Sequence, residues 1–426
     1  MPNRTVPPTI HEVQSIELPQ PEVVHLDNGV PVYVTNLGTQ EVCKLEIAFF
    51  AGRPYERKPL VARAVSSQLR EGSRHYTSAQ IAENLDFYGA SLGMPFNLDT
   101  ANLALYSLNK HFGRVLPILK DILAEPAFPE DDLQAYISRN QRRLEVDLAK
   151  NDTVAYREIT AMIFGEQHPY GYNSSQEGYA ALTRPDLEEH FRRLYNRNNC
   201  LVFASGQVTD AMLAQINEAL SEALGDGQRA SAEVGTPQRR PRRVGFDRPG
   251  TVQSAVRLGR EAFSRHHEDY FGLYILNTLF GGYFGSRLMT NIREEKGYTY
   301  NIYSMLENMR YGGSFLIGTE VSERYVEATL KEIYKEMEQL QHERVGEEEL
   351  KMVRNYLMGN FLTMLDGPFN IAEVVRTQVL DGLPPDTFPR LVEAVQHIDA
   401  AALQALAQKY FNKDEMWEVV VGPNAV

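Results

Sequence analysis

Arg293 and Tyr300, seven residues apart, carry a guanidinium and a phenolic O–H, side-chain types that could do chemistry at a polarised carbonyl. A guanidinium and a phenolic O–H aimed at one point can stabilise the charge that develops on an oxyanion, and losing one such donor typically costs about a hundredfold or more in rate. The structural alternative is a surface ion pair of Arg293 with Glu294 or Glu295, beside a half-buried tyrosine. The residues of this segment leave both interpretations open.

A glycine-rich segment precedes this pair, with Leu-Phe-Gly-Gly-Tyr-Phe-Gly-Ser-Arg-Leu at residues 279–288. A phosphate-binding loop would continue with Lys and then Ser or Thr, and this segment does not. A packing turn is favoured instead, or a backbone edge with which a peptide could pair. On the latter interpretation, Gly281, Gly282 and Ser286 would bind the peptide.

Residues 279–300 resemble the C-terminal half of the pitrilysin/insulinase-like zinc peptidases. In that family a Gly-Gly…Ser-Arg-Leu stretch precedes an Arg-Glu…Gly-x-x-Tyr stretch, and this order is reproduced here. The resemblance covers about residues 20–424, because further family landmarks occur in family order in the first half. These are Leu26-Asp27-Asn28-Gly29, Gly72-Ser73, Tyr88-Gly89-Ala90, His168-Pro169-Tyr170-Gly171 and Leu201-Val202-Phe203-Ala204-Ser205-Gly206. The resemblance implies that Arg293 and Tyr300 reach toward a zinc-bearing half and meet the substrate carbonyl there.

The zinc motif of this family is absent from the chain. Active members carry His-x-x-Glu-His on a first-half helix, where both imidazoles face the zinc and the glutamate is the general base. Counting back from Gly72-Ser73, the resemblance places Arg63 and Ser67 at the ligand positions and Ser66 at the base. A guanidinium offers no lone pair to a metal, and a serine hydroxyl is a poor zinc ligand. The ten histidines of the chain form no such motif anywhere else in the sequence.

Other residues at or near these positions do not supply an alternative catalytic site. Glu145 falls near the third ligand position, but one carboxylate alone would hold no zinc. Ser66 and Ser67 lack the Gly-x-Ser-x-Gly turn of a serine nucleophile, and no His–Asp partners can be assigned to them. The resemblance therefore implies no metal in this chain and zinc in a partner subunit.

The elements that must position these residues follow a pattern that occurs twice. Apolar alternation on both sides of Asp27-Asn28-Gly29 predicts a β-hairpin, and a helix over about residues 59–69 would carry the degenerate motif. Thr77 caps a following helix. A strand and two long helices occur near residues 102–150 and again from Gly313 onward, roughly two hundred residues later. Further strands are expected at residues 43–51 and 91–98.

This recurrence predicts an α+β fold of two duplicated domains, each a mostly antiparallel sheet packed against helices. The N-terminal peptidase-like domain would span residues 1–224 and the C-terminal one, with the Arg/Tyr pair, residues 247–426. Residues 225–246 form the predicted linker, because they contain glycines, prolines and the basic run Arg239-Arg240-Pro241-Arg242-Arg243.

Composition excludes several classes of function. The formal net charge of -13 disfavours nucleic acid and anionic membranes as main partners. No stretch of about 18 apolar residues occurs, and residues 1–8 do not resemble a signal peptide. Cys43 and Cys200 are too few for a disulfide framework, so buried free thiols and a cytoplasmic location are expected.

The retained Arg/Tyr pair beside the absent zinc motif resembles the metal-free subunit of two-subunit bacterial peptidases. The resemblance implies a partner subunit without autonomous activity that encloses unfolded peptides with a zinc-bearing homologue, or forms a homodimer in its absence. The main alternative is an inactive structural or peptide-binding protein, like the core subunits of respiratory complexes. A self-sufficient metallopeptidase with unusual ligands is the third hypothesis.

Overall fold

The computed structural model describes residues 16–232, 234–235 and 240–425. The predictions for residues 1–8 and for Arg239 lie outside these ranges.

The first half of the chain forms a six-stranded sheet. Its strands are β1 (Glu22–His25), β2 (Pro31–Asn36), β3 (Val42–Phe49), β4 (Ser91–Gly93), β5 (Ala101–Leu108) and β6 (Cys200–Gly206). They lie in the order β1-β2-β6-β3-β5-β4. Strands β1 and β2 form the predicted hairpin.

The second half forms a five-stranded sheet. Its strands are β7 (Arg243–Asp247), β8 (Ser254–Ala262), β9 (Ile302–Met309), β10 (Gly312–Val321) and β11 (Trp417–Gly422). They lie in the order β7-β11-β8-β10-β9. Strand β7 therefore begins inside residues 225–246, and the domain boundaries stay a prediction.

Helices connect and cover the two sheets. Those of the first half are α1 (Val61–Gln68), α2 (Ser78–Phe87), α3 (Phe112–Ala124), α4 (Glu130–Leu148), α5 (Asn151–Phe164), α6 (Gln176–Ala180), α7 (Arg184–Leu194) and α8 (Asp210–Ala223). Those of the second half are α9 (Tyr270–Asn277), α10 (Val326–His342), α11 (Glu347–Met364), α12 (Pro368–Asp381), α13 (Thr387–His397) and α14 (Ala400–Tyr410). Two π-helical segments, Thr278–Gly282 and Met289–Glu295, follow α9.

The two sheets share one topology. The order β2-β6-β3-β5-β4 corresponds to β7-β11-β8-β10-β9, and β1 is an addition at one edge of the first sheet. In each sheet one pair is parallel, β2 with β6 and β7 with β11, and the remaining pairs are antiparallel. The predicted α+β class, with two sheets packed against helices, is confirmed.

Each half of the chain contributes one helix that packs on the sheet of the other half. Helix α5 of the first half packs on β8 and β11, where Ile159 and Ile163 meet Val419 and Val421. Val420 points to the opposite face, because successive strand side chains alternate, and it joins the main core of the second half. Helix α12 of the second half packs in return on β2 and β6. Each sheet is thus buried on both faces, one of them by the other half.

Local chemistry explains several element boundaries. The predicted cap of α2 is present as a capping box, in which the Thr77 hydroxyl accepts from the Gln80 backbone N–H and the Gln80 side chain accepts from the Thr77 N–H. The predicted strand at residues 91–98 ends early, at Gly93. Pro95 follows, and it cannot donate to a ladder hydrogen bond.

The two thiols are buried and free, as predicted. Burial raises the pKa of both Cys43 and Cys200 to about 12, so both remain protonated thiols at neutral pH. Among the described residues, no helix combines the length and apolarity that crossing a membrane requires.

Candidate functional site

Helix α1 carries the degenerate motif, and its first turn is held by side chains from outside the helix. Glu56 accepts a hydrogen bond from the Ala62 backbone N–H at 2.9 Å and another from the Tyr172 hydroxyl at 2.7 Å. Leu60, just before the helix, has a φ of 73°, a left-handed conformation that is rare for a bulky residue. The start of α1 is therefore defined by tertiary contacts, which compensate for this strain.

Glu56 is also electrostatically unusual. Burial raises the pKa of its carboxyl to about 7, and the hydrogen bonds from Tyr172 and Ala62 oppose the rise. A proton on this group is therefore exchanged near neutral pH, close to the start of α1.

The three motif positions line an open cleft of about 840 Å³. Arg63 is exposed and Ser67 is half-buried, whereas Ser66 is only 2% exposed. The Ser66 hydroxyl has no hydrogen-bond partner among the described residues. The three positions therefore line one cleft beside α1, and their correspondence to the zinc-motif positions stays a prediction.

Four arginines from separate elements line this cleft, and we call it the arginine cleft. They are Arg53, Arg63, Arg70 and Arg139. Glu71 is the one carboxylate that lines it among the described residues. The Arg53 guanidinium donates to the backbone oxygens of Pro169 and Tyr172, at 3.4 and 3.1 Å, and lies 4.3 Å from the centroid of the Tyr172 ring.

The residues of the arginine cleft do not fit zinc. Guanidinium groups repel a divalent cation, and the Ser66 and Ser67 hydroxyls are weak ligands for it. Glu145 lies on the exposed face of α4 and does not line the cleft. Within residues 16–232, 234–235 and 240–425, no three His, Cys, Asp or Glu side chains cluster in a way that could hold a metal ion. No step of a reaction can therefore be derived through a metal held by these side chains.

Arg293 and Tyr300 adjoin each other in the second half. The Arg293 Nε donates to the Tyr300 backbone oxygen at 3.0 Å, and its guanidinium lies 4.6 Å from the centroid of the Phe284 ring. Glu294 is a distant ionic neighbour at 3.8 Å. The Tyr300 side chain is not half-buried, because this residue is 89% exposed. Arg293 thus fixes the backbone from which an exposed phenol projects.

The glycine-rich segment is largely a packing element. A side chain at Gly281 would come within 2.6 Å of Ser304 on β9, so only glycine allows this close approach. Ser286 is buried, while Gly282 is exposed. Arg287 forms a two-armed ion pair with Glu349 at 2.7 and 2.8 Å, which ties the segment to α11. Of the three predicted peptide-binding residues, only Gly282 lies at the surface, and their role stays a prediction.

Tyr300 and the degenerate zinc motif line different cavities. Tyr300 lines a smaller cavity of about 220 Å³ together with Arg257 and Glu320, and none of these residues lines the arginine cleft. The Arg/Tyr pair is therefore not assembled with the degenerate motif of its own chain.

Sequence reasoning missed Arg53, Arg70 and Arg139 as members of the site. Arg53 follows β3, Arg70 follows α1 and Arg139 lies in α4. Each appears in the sequence as an ordinary surface cation, and no short motif links the three. Only the approach of α4 to α1 brings them to one cleft.

Comparison with known proteins gives a consistent assignment. Residues 181–357 match the family model described as the peptidase M16 inactive domain. An uncharacterized zinc protease of Rickettsia bellii is 23% identical over 416 residues, which cover 94% of this chain and 97% of that protein.

Solved structures share the fold over almost the whole chain. A peptidase M16 inactive domain from Pseudomonas fluorescens superposes with a TM-score of 0.86 at 23% identity, covering 95% of this chain and 98% of the other. A chain of complex III2 from Candida albicans reaches a TM-score of 0.76 at 14% identity, covering 94% and 95%. At such identities the likeness shows the fold, and function must be argued from the site.

Proposed function

We propose that this chain is a non-catalytic partner subunit, because residues 181–357 match the peptidase M16 inactive domain and an uncharacterized zinc protease is similar over most of the chain. A zinc-bearing homologue would supply the metal and the general base. This chain would enclose an unfolded peptide with that partner and present Arg293 and Tyr300 to the partner's active site.

The exposed phenol of Tyr300 carries this proposal. Its hydroxyl has no hydrogen-bond partner among the described residues, and the residue is 89% exposed. Tyrosine presents an apolar ring together with a polar hydroxyl, which suits it to an interface with another molecule. A bound partner would cover the ring and bring the hydroxyl to a substrate carbonyl.

The anchoring of Arg293 supports the same role. Its Nε is held by the Tyr300 backbone oxygen, so its position is coupled to that of the phenol. In the described part of the chain, its remaining guanidinium N–H groups face no carboxylate closer than the 3.8 Å of Glu294. Two oriented donors of this kind can stabilise a developing oxyanion. The zinc that a partner would hold polarises the carbonyl and activates water.

The decisive experiment mixes the purified chain with its purified zinc-bearing homologue and measures cleavage of an unfolded peptide. We expect the mixture to cleave faster than the homologue alone. Arg293→Ala should abolish the gain while leaving the complex intact by size-exclusion chromatography. No gain with the native chain, or a full gain with the variant, would refute the proposal.

Arg324 offers a matched control for this experiment. Its guanidinium stacks on Tyr325 at 4.6 Å, as that of Arg293 stacks on Phe284. Both arginines lie in the second half, but Arg324 does not contact Tyr300. Arg324→Ala should retain the full gain in cleavage.

A structural role without proteolysis is the second candidate function, and the likeness to a chain of complex III2 favours it. On this hypothesis the chain would be a peptide-binding protein or a scaffold. A pull-down that recovers a stable complex with subunits unrelated to peptidases, together with no gain in cleavage, would support it. Stoichiometric zinc in the purified chain would instead favour a metallopeptidase with unusual ligands.

A further inference from the structure

The arginine cleft is an unneutralised cationic site on an acidic protein. Four guanidinium groups and one carboxylate line it, although the whole chain carries 56 acidic and 43 basic residues. Many arginines elsewhere are paired, such as Arg57 with Glu189 and Arg74 with Glu125. In the described part of the chain, the guanidinium groups of Arg63, Arg70 and Arg139 have neither an ion pair nor a hydrogen-bond partner.

Two features show that the cleft is built rather than a chance gathering of surface charges. Arg53 is oriented by two backbone carbonyls and by the face of Tyr172, which lowers the entropy cost of binding a ligand. Ser66 lines the cleft with a hydroxyl that is buried and unpaired. A buried hydroxyl without a partner costs free energy, and a bound acceptor would remove that cost.

The remaining wall of the cleft suits a peptide. Met94, Phe96 and Leu98 line it and are each half-buried. A volume of about 840 Å³ lies within the usual range of sites for organic ligands, roughly 300–1,000 Å³. Apolar side chains could pack on this wall while an anionic group meets the arginines.

We propose that the arginine cleft is a carboxylate-binding subsite through which the chain selects acidic peptides. Arginine matches a carboxylate with two parallel N–H···O bonds, so the cleft can hold more than one such group. The chain's net charge of -13 repels acidic peptides at long range, so the preference must arise locally, where the low-dielectric wall strengthens each contact. This inference rests on the peptide binding included in the proposed function.

The test measures binding of unlabelled unfolded peptides to the full-length chain by isothermal titration calorimetry. One peptide carries several Glu residues, a second carries Gln in their place, and amidated forms of both lack the C-terminal carboxylate. We expect the Glu peptide to bind at least about tenfold more tightly than the Gln peptide, because charge-assisted hydrogen bonds are roughly twice as strong as neutral ones. This difference should shrink as salt is added.

Amidation distinguishes the two sources of carboxylate. If side chains occupy the cleft, the amidated Glu peptide keeps its tighter binding. If the terminal carboxylate occupies it, amidation weakens both peptides by about tenfold. Either result supports a carboxylate subsite, whereas equal binding of all four peptides would overturn it.

The double variant Arg63→Gln/Arg139→Gln should lose the preference for carboxylate but keep the affinity for the amidated Gln peptide. Both arginines are exposed, so folding should be unaffected, and Arg70→Gln serves if the double variant fails to fold. Arg142→Gln is the matched control, because Arg142 is exposed on the same helix α4 but does not line the cleft. The Arg142→Gln variant should keep the preference for carboxylate. Loss of the preference in this variant would overturn the assignment of the subsite to the cleft.

The outcomes also separate this inference from the proposed function. Equal binding of all four peptides, beside a normal gain in partner cleavage, would refute the carboxylate subsite alone. No binding of any peptide, together with no gain in cleavage, would refute both.

Discussion

The two sheets are covered in the same way, but the charges at the two contacts are reversed. On β3 of the first sheet, Glu46 lies 2.6 Å from Arg376 of the covering helix α12. On β8 of the second sheet, Arg257 pairs with Asp152 of the covering helix α5. The Glu46 side chain is 3% exposed, whereas that of Asp152 is 46% exposed. The same architecture therefore places a fully buried ionic contact in one half and a solvated one in the other.

The halves also differ in what they offer to another molecule. The first half presents unpaired guanidinium groups in a cleft, at the positions where the resemblance placed the degenerate zinc motif. The second half presents an exposed phenol, held from behind by Arg293. The two halves thus share one sheet topology but carry different surface chemistry, because side chains that do not pack can differ at little cost in stability.

Glu46→Gln should give the largest effect on stability. It removes the carboxylate shared by Lys44 and Arg376, both 2.6 Å away, and leaves these two largely buried cations with the exposed Glu373 as their remaining carboxylate among the described residues. We expect the free energy of unfolding to fall by about 3 kcal/mol, measured by urea denaturation. Glu373→Gln is the control: this side chain is 53% exposed and contacts the same two cations, so its loss should cost less than about 1 kcal/mol. Equal losses of unfolding free energy in the two variants would show that Glu46 is no more shielded from solvent than Glu373.

Tyr300→Phe tests the second half of the comparison. Loss of the hydroxyl should lower kcat of the complex with the zinc-bearing homologue by about a hundredfold, because one oxyanion donor is removed. The exposed ring remains, so the melting temperature and the assembly should not change. Tyr298→Phe is the control, since the Tyr298 ring stacks on Tyr325 and the stack survives without the hydroxyl. Equal losses of kcat in both variants would contradict a specific role of Tyr300.

Glu56→Gln tests the electrostatics at the start of α1. Burial raises the pKa of Glu56 from 4.5 to about 7, so the folded state binds more protons than the unfolded state between these values. The contribution to stability is therefore present at low pH and is lost as pH rises through about 7. Between about pH 5 and pH 8, the free energy of unfolding of the native chain should fall by about 1–2 kcal/mol relative to that of the variant, measured by urea denaturation at each pH. Parallel pH profiles would contradict the raised pKa.

Restoring the motif should have the smallest effect. The triple variant Arg63→His/Ser66→Glu/Ser67→His recreates the family spacing, but Glu145 does not line the cleft and the other arginines remain. We expect no stoichiometric zinc by elemental analysis after gel filtration, and no cleavage of peptides by the variant alone. One zinc per chain would show that the first half differs from an active one only in these three side chains.

Much of the fold could be predicted from the sequence because its signals are local. Asp27-Asn28-Gly29 specifies a hairpin, and Thr77 with Gln80 specifies a helix start, through contacts between residues close in the chain. The recurrence of strand, helix and helix pointed to duplication. The helices α5 and α12 were not foreseen, because the faces that they cover depend on partners far away in the chain.

By itself, the sequence determined that the zinc motif is absent and that Arg293 and Tyr300 are present, because ligand chemistry depends on residue identity alone. Only the tertiary structure decided which of these residues can act. Packing buried Ser66 and Gly281, left Tyr300 exposed, and brought Arg139 to the same cleft as Arg53. Burial and proximity depend on contacts between distant parts of the chain, and no local pattern records those contacts.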